Sequence, residues 1–290
     1  MYYPDSELII NSDGSAFHLH LRPEQLADKV ILVGDPGRVK MVASFFETQE
    51  CEVSNREFHS ITGTYKGKRL TVVSTGIGCD NIDIVVNELD ALANIDFETR
   101  EDKPSFRKLD LVRIGTSGGI QENVPVGSYV ISERSMGFDG LLNFYGPRDT
   151  VADADFEKAF IAHMQWTGNQ CIAHPYVVSA SKELIARINQ GDMIPGITIA
   201  CGGFYAPQGR RLRLPLADPQ QNDKIRSFRY EGRAITNFEM ESSALAGLSA
   251  MMGHNAVTIC LIIANRFALD ANPNYKDGMK DLVQTVLDRL

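Results

Sequence analysis

The chain of 290 residues lacks most of the features that mark a secreted, membrane-bound or metal-dependent protein. Its five cysteines (Cys51, Cys79, Cys171, Cys201 and Cys260) form no CxxC pair and keep no regular spacing. An odd, scattered set reads as reduced, mostly buried thiols of a cytosolic protein, not as a disulfide framework. No apolar run approaches the ~20 residues a membrane span requires. The opening MYYPDSELIINSDG has neither a basic stretch nor an apolar core, so no secretory signal is expected and the expected location is the cytoplasm. Basic residues are in deficit, 29 Lys and Arg against 37 Asp and Glu, for a net charge of −8. That balance argues against a general binder of nucleic acid or membrane surface, so an anionic ligand would need a local arginine cluster. HExxH and the dinucleotide GxGxxG are missing, which removes the signatures of zinc peptidases and Rossmann dehydrogenases. His59, His163, His174 and His254 have no metal-ligand spacing and read as exposed or locally satisfied.

What the chain does have is a large apolar fraction, 43%, laid out in short runs. VILVG (30–34), LTVVSTGIG (70–78), LDLVRIGTSGG (109–119), SYVIS (128–132), ITIACGGFY (197–205) and AVTICLIIAN (256–265) have strand length. Several are continuous, as expected of strands covered on both faces. Helical periods alternate with them. In NIDIVVNELDALANI, Ile82, Val85, Val86, Leu89, Leu92 and Ala93 recur at helical spacing. RVKMVASFF (38–46), DADFEKAFIAHMQW (153–166), SKELIARI (181–188), FEMESSALAGLSAMM (238–252) and the C-terminal KDLVQTVLDRL follow the same rule. Alternation of this kind predicts an α/β sandwich on one mixed sheet. With no interdomain linker visible, residues 1–290 are expected to form a single domain. The segment 96–108 reads as a surface loop and 212–223, polar and proline-containing, as a candidate flap.

Three strands run into glycine-rich stretches expected to be turns: GDPGR (34–38), STGIG (74–78) and GTSGG (115–119). Glycine lets backbone N–H groups approach a ligand, and such turns favour anions; any one of them taken alone is better read as a plain β-to-α turn. Arg113 lies in the middle of a buried-type strand, where a desolvated guanidinium needs an anionic partner. That partner is either a ligand or an internal acid such as Asp110 or Asp35. Arg38 closes the first glycine stretch, Arg56 follows a strand, and Thr116 and Ser117 supply hydroxyls, so a phosphate would find bidentate forks and hydroxyl donors together. In NFEMESSALAG (237–247), Glu239 and Glu241 sit at the edge of apparent core. One acid at a helix N-terminus is favoured by the dipole; two are not explained that way.

GDPGR, REFHSITGTYKGKRLTVVSTGIG, VRIGTSGGI, FYAPQGR and NFEMES, in that order, resemble the nucleoside phosphorylase family, which contains purine-acting and uridine-acting enzymes. The likeness spans roughly Phe17 to Arg266 and is nearest the uridine-acting branch. It implies a single-domain, three-layer α/β/α sandwich around a mixed, partly barrel-like sheet, with the site shared across a homodimer that can assemble further into a hexamer. It implies phosphorolysis of a nucleoside, with inorganic phosphate as co-substrate and no required cofactor; purine phosphorolysis and nucleoside hydrolysis are the alternatives. By resemblance, Gly34, Arg38, Arg113 and Thr116 bind phosphate, and Arg56 reaches it from the neighbouring subunit. His18 crosses the same interface to the ribose 5′-hydroxyl. Met240 and Glu241 bind ribose, with Glu239 beside them. Gln208 and Arg210 read uracil, Phe204 lines the base pocket, and Ser117 lies against the base. Arg113, Arg210 and Glu241 are the implied catalytic groups. A monovalent cation near Glu57, Ile77 and Asn81 is implied by some relatives, which usually carry Ser at the last position. Purine-acting relatives carry Ser-Asp where this chain has Asn265-Arg266, and an arginine there is no general acid at neutral pH.

Overall fold

The structure is a computed structural model, and it describes residues 1–166, 173–268, 270–272 and 274–290. Cys171, one of the expected buried thiols, lies outside those residues; Cys79, Cys201 and Cys260 are buried and Cys51 is half-buried.

Among the described residues, eleven strands make one sheet. In chain order they are β1 (Lys29–Val33), β2 (Thr48–Asn55), β3 (Phe58–Tyr65), β4 (Lys68–Ser74), β5 (Asp110–Gly119), β6 (Tyr129–Gly137), β7 (Tyr176–Ser179), β8 (Ile194–Ala200), β9 (Asn237–Glu239), β10 (Asn255–Asn265) and β11 (Asp270–Ala271). Among the same residues, seven α-helices pack around it: α1 (Pro36–Ala43), α2 (Cys79–Asn94), α3 (Ala154–Met164), α4 (Lys182–Ile188), α5 (Gln221–Ser227), α6 (Ser242–Met252) and α7 (Lys276–Arg289). Starts and stops follow local chemistry. Asp35 caps α1 ahead of Pro36, Ser181 caps α4, and α6 ends on Gly253 at φ 86°.

β1 shows why the apolar runs are continuous. Ile31 and Val33 join Val39 and Val42 of α1 and Leu282 and Val283 of α7 in one core, while Val30 and Leu32 join Val85 and Leu89 of α2 and Leu245 of α6 in another. Side chains alternate across a strand, so a strand covered on both faces has no position to give to water. The same alternation governs β5, where Val112 and Ile114 face α1 and α7 and Leu111 faces α2 and α6. Arg113 shares the face of Leu111 and is thereby aimed at the start of α6.

The long strand β5 closes the sheet on itself. Its first half pairs in parallel with β1 and with β10, and its last two residues pair antiparallel with β9. β9 joins β8, β8 joins β6, and β6 returns to β10, which completes a five-strand barrel-like ring. This is the three-layer α/β/α arrangement with a partly closed mixed sheet that the sequence leads one to expect.

Two local expectations are corrected. GTSGG is not a turn: residues 115–119 remain in β5, because they pair with β10 over their whole length. Nor does the helix begin at Phe238. Asn237–Glu239 is a short strand held between β8 and β5, and α6 starts at Ser242. Elsewhere, 212–220 is irregular and mostly exposed, and 96–108 carries only a two-residue hairpin pairing.

Candidate active site

The mouth of the barrel opens into a cavity of about 780 Å³. It runs beside β5, and a strand advances ~3.3 Å per residue, so Arg113 and Gly118 mark points roughly 16 Å apart along it. That length suits a nucleoside with a phosphate below it.

Arg113 occupies the deep end. An added Cβ at Gly115 would lie 2.4 Å from the Arg113 Nη1, so only glycine leaves space for the guanidinium at this point of β5. Nη1 stands 3.4 Å from Glu239 Oε2, and Nη2 donates to Glu241 Oε2. The internal acids that satisfy Arg113 are therefore these two glutamates and not Asp110 or Asp35. Asp110 pairs with Arg187, and Asp35 accepts from the Gly37 N–H. Burial works against the charge of Arg113, but Glu241 and Glu239 more than offset it and hold the group protonated well above its usual range.

Arg38 is different. It is 8% exposed, faces the same cavity, and donates only to the Ile114 carbonyl, at 3.2 Å. Burial and then repulsion from Arg113 lower its pKa. Among the described residues it forms no ion pair with an acid, so it is a largely buried cation facing the cavity. Gly34 and Thr116 line the wall beside it. These four residues, expected to form a phosphate site, do converge.

Glu239, Met240 and Glu241 form the middle of the cavity wall. The bend between β9 and α6 holds them, and α2 clamps the bend from the side. The Gly78 N–H donates to Glu241 Oε1 at 2.8 Å, and Cys79 Sγ donates to the Met240 carbonyl at 3.1 Å. Gly78 sits at φ 103°, a conformation closed to side-chain-bearing residues. Neither contact is visible in the sequence, where Gly78 reads only as a turn residue. Glu239 accepts from the Glu241 and Ser242 N–H groups and from the Ser242 hydroxyl, so its carboxylate is largely committed to holding the bend. Burial, opposed by Arg113 and reinforced by Glu241, pushes its pKa up to about 7.

The outer end carries Phe204, Gln208 and Arg210. The Arg210 guanidinium stacks 3.7 Å from the centre of the Phe204 ring and donates to Gln208 Oε1 and to the Phe204 carbonyl. Burial and the neighbouring Arg266 lower its pKa to about 10. Arg266, which does not line the cavity, donates to the Gln208 carbonyl. Ser117 also lines the wall, but its hydroxyl donates to the Phe238 carbonyl and accepts from Asn237, leaving it one lone pair. Asn265 is consumed by backbone: its amide donates to Gln121 and Val124 carbonyls and its oxygen accepts from the Phe267 and Ala268 N–H groups.

Arg56 and His18 do not line the cavity. They lie together on a separate patch, where Arg56 sits 5.7 Å from the Phe17 ring, and Asn55 donates to the His18 carbonyl. His18 Nδ1 is 2.6 Å from Glu88 Oε1, which leaves Nε2 pointing elsewhere. Glu57, Ile77 and Asn81 do reach the cavity rim. Among the described residues there is no cluster of three or more His, Cys, Asp or Glu able to hold a metal ion, and no helix is long and apolar enough to cross a membrane.

Comparison with known proteins points the same way. The chain is 29% identical to the uridine phosphorylase of Escherichia coli strain K12, over 88% of each chain. It is 28% identical to that of Thermococcus kodakarensis, over 88% of this chain and 79% of that one. A DeoD-type purine nucleoside phosphorylase from Bacillus subtilis is 27% identical over 84% of this chain and 85% of its own. Among solved structures, a Trypanosoma brucei nucleoside phosphorylase described as showing uridine phosphorylase activity superposes with a TM-score of 0.86 at 29% identity, covering 98% of this chain and 99% of that one. Residues 28–288 match the family model of the phosphorylase superfamily, and the chain belongs to that superfamily.

Proposed function

We propose that this protein cleaves uridine with inorganic phosphate, releasing uracil and ribose 1-phosphate. The observation that carries the reading is the pair of buried guanidinium groups at the deep end of one cavity, only one of them neutralised by acids, with an arginine–glutamine pair at the other end. Arg38, Arg113, Thr116 and the Gly34 backbone would fix phosphate below C1′ of the sugar. Glu241 would accept from the ribose 2′- and 3′-hydroxyls, an acceptor-only carboxylate meeting two adjacent donors.

As the C1′–N bond opens, positive charge builds on the sugar and negative charge on the base, by analogy with glycoside cleavage. The phosphate anion lies against the first. Arg210, aimed at the uracil oxygen, stabilises the second, in the manner of an oxyanion hole. Holding the two reactants in line can contribute ~7–11 kcal/mol in favourable cases. Gln208 gives and takes a hydrogen bond at the O2 and N3–H edge. Asn265 has no free donor or acceptor and Arg266 no proton to lend, which speaks against purine ring protonation at that position.

The sites of Arg56 and His18, off the cavity but side by side, support their use by a neighbouring subunit, so a homodimer is the minimal unit in this reading. The continuous sheet from Lys29 to Ala271 supports one domain. The deciding assay is base release from uridine and from inosine, each with and without phosphate. Phosphate-dependent uracil release is expected. Equal release in phosphate-free buffer would identify a hydrolase, and preference for inosine would identify a purine enzyme.

A further inference from the structure

The base-reading turn is held from outside the cavity by a helix with no counterpart among the expected site residues. Ile225, in the middle of α5, is fully buried and packs with Phe228 and Phe156. Asn222 lies three residues earlier, on the same face of the helix. Its Nδ2 donates to the Gln208 carbonyl at 3.3 Å, and Gln221 Nε2 donates to the Pro207 carbonyl at 2.8 Å. Arg266, just past the end of β10, donates to that same Gln208 carbonyl. One backbone oxygen is thus held by two donors that belong to two separate elements, directly behind the side chain that meets the base.

Gly209 completes the arrangement. It adopts φ 66°, and an added Cβ would lie 2.5 Å from both terminal atoms of the Asn222 amide. The Asn222 side chain and the turn are therefore in close contact, and α5 seats the turn as a plug seats in a socket. The Asn222 oxygen has no hydrogen-bond partner among the described residues although it is buried. A buried polar atom left unpaired costs stability, so asparagine is a poor residue for packing alone at this position.

We propose that Asn222 is a positioning residue for base recognition: by holding the Gln208 carbonyl it sets where the Gln208 amide and the Arg210 guanidinium meet the nucleobase. The proposal rests on the reading of the cavity as a nucleoside phosphorolysis site. Asn222 touches no substrate, so its loss loosens the base end and leaves the phosphate end alone.

The test measures kcat, the KM for nucleoside and the KM for phosphate in the wild type, N222A, N222D and N222L, with thermal unfolding of each. N222D keeps the shape and removes the donor; N222L fills the space and removes the unpaired oxygen. All three are expected to raise the nucleoside KM about 5- to 20-fold, the loss of one hydrogen bond to a positioned group, and to leave the phosphate KM within about twofold. The ratio of uridine to inosine turnover should fall in parallel, while N222L should melt no lower than the wild type. A nucleoside KM within about twofold of wild type in all three variants overturns the proposal, as does a parallel rise of both KM values with a fall in melting temperature. If the wild type proves to act on inosine and not uridine, the substrate reading fails, and the same comparison made with inosine still decides the role of Asn222.

Discussion

Arg38 and Arg113 carry the same side chain into one cavity and have opposite electrostatic surroundings. Arg113 is neutralised by Glu239 and Glu241; Arg38 faces the cavity without an acid. Removing Arg113 strands two carboxylates in the core, a change that typically costs 3–5 kcal/mol, so its variants confound catalysis with folding. Arg38 gives the cleaner experiment. Arg38→Met keeps most of the volume and removes an uncompensated charge, so the melting temperature should hold or rise. The KM for phosphate should increase ~10-fold or more, the worth of a charge-assisted hydrogen bond. Steady-state kinetics with varied phosphate, set beside a melting curve, checks both halves. Glu239 supplies a second prediction at this scale. Its folded pKa is raised to about 7 from an ordinary value near 4.5, so between those limits the folded state binds more protons than the unfolded one. Its contribution to stability therefore declines as pH rises through that window. Glu239→Gln should remove this decline; melting temperatures of the two proteins from pH 4.5 to 8 should diverge least at the acid end if the carboxyl is the cause.

The strand β5 shows what the elements add to their residues. Gly115 leaves room for the Arg113 guanidinium, and its missing Cβ would also press on Cys260 of β10. Gly115→Ala should destabilise by about 1–3 kcal/mol, the usual penalty for overpacking, and should weaken phosphate use as the guanidinium is displaced; chemical denaturation and the phosphate KM measure the two effects. The sequence made β5 legible as a buried strand, since its apolar run is continuous, and it marked Arg113 as misplaced in that run. It also led to GTSGG being read as a turn, because glycine clusters usually are turns. Here Gly115 and Gly119 serve close approach within a strand, to Arg113 and Val124 nearby in the chain and to Cys260 and Asn265 of β10, and the pairing with β10 that keeps them extended comes from the far end of the chain. The same blindness explains the start of α6. FEMESSALAG has helical spacing throughout, but Phe238 is held by β8 and β5, and tertiary pairing overrode local preference. The clamps on the bend between β9 and α6, the Gly78 N–H and the Cys79 thiol, have no sequence signal, because an N–H belongs to every residue and a lone cysteine reads as packing.

At the scale of the molecule the unassigned surface is the patch bearing Arg56 and His18. Within one subunit neither residue meets the cavity; Arg56 stands at the tip of the β2–β3 hairpin, where its φ of 53° is turn geometry, and its guanidinium lies 5.7 Å from the centre of the Phe17 ring. In the proposed two-fold dimer the same patch of each chain would meet the rim of the other, so each cavity would receive its third arginine from its partner. This arrangement makes a quantitative prediction. R56A leaves its own cavity intact and donates nothing, whereas R38M spoils its own cavity and still donates Arg56. Each variant alone should be severely impaired. Unfolded together in equal amounts and refolded, half the dimers are mixed, and in each of these one of the two cavities pairs an intact wall with an intact Arg56. Recovery of about a quarter of wild-type activity is therefore expected from random pairing. Activity of the mixture no greater than the mean of the two variants, with mixed dimers demonstrated by differential tagging, would show that Arg56 acts within its own chain or not at all.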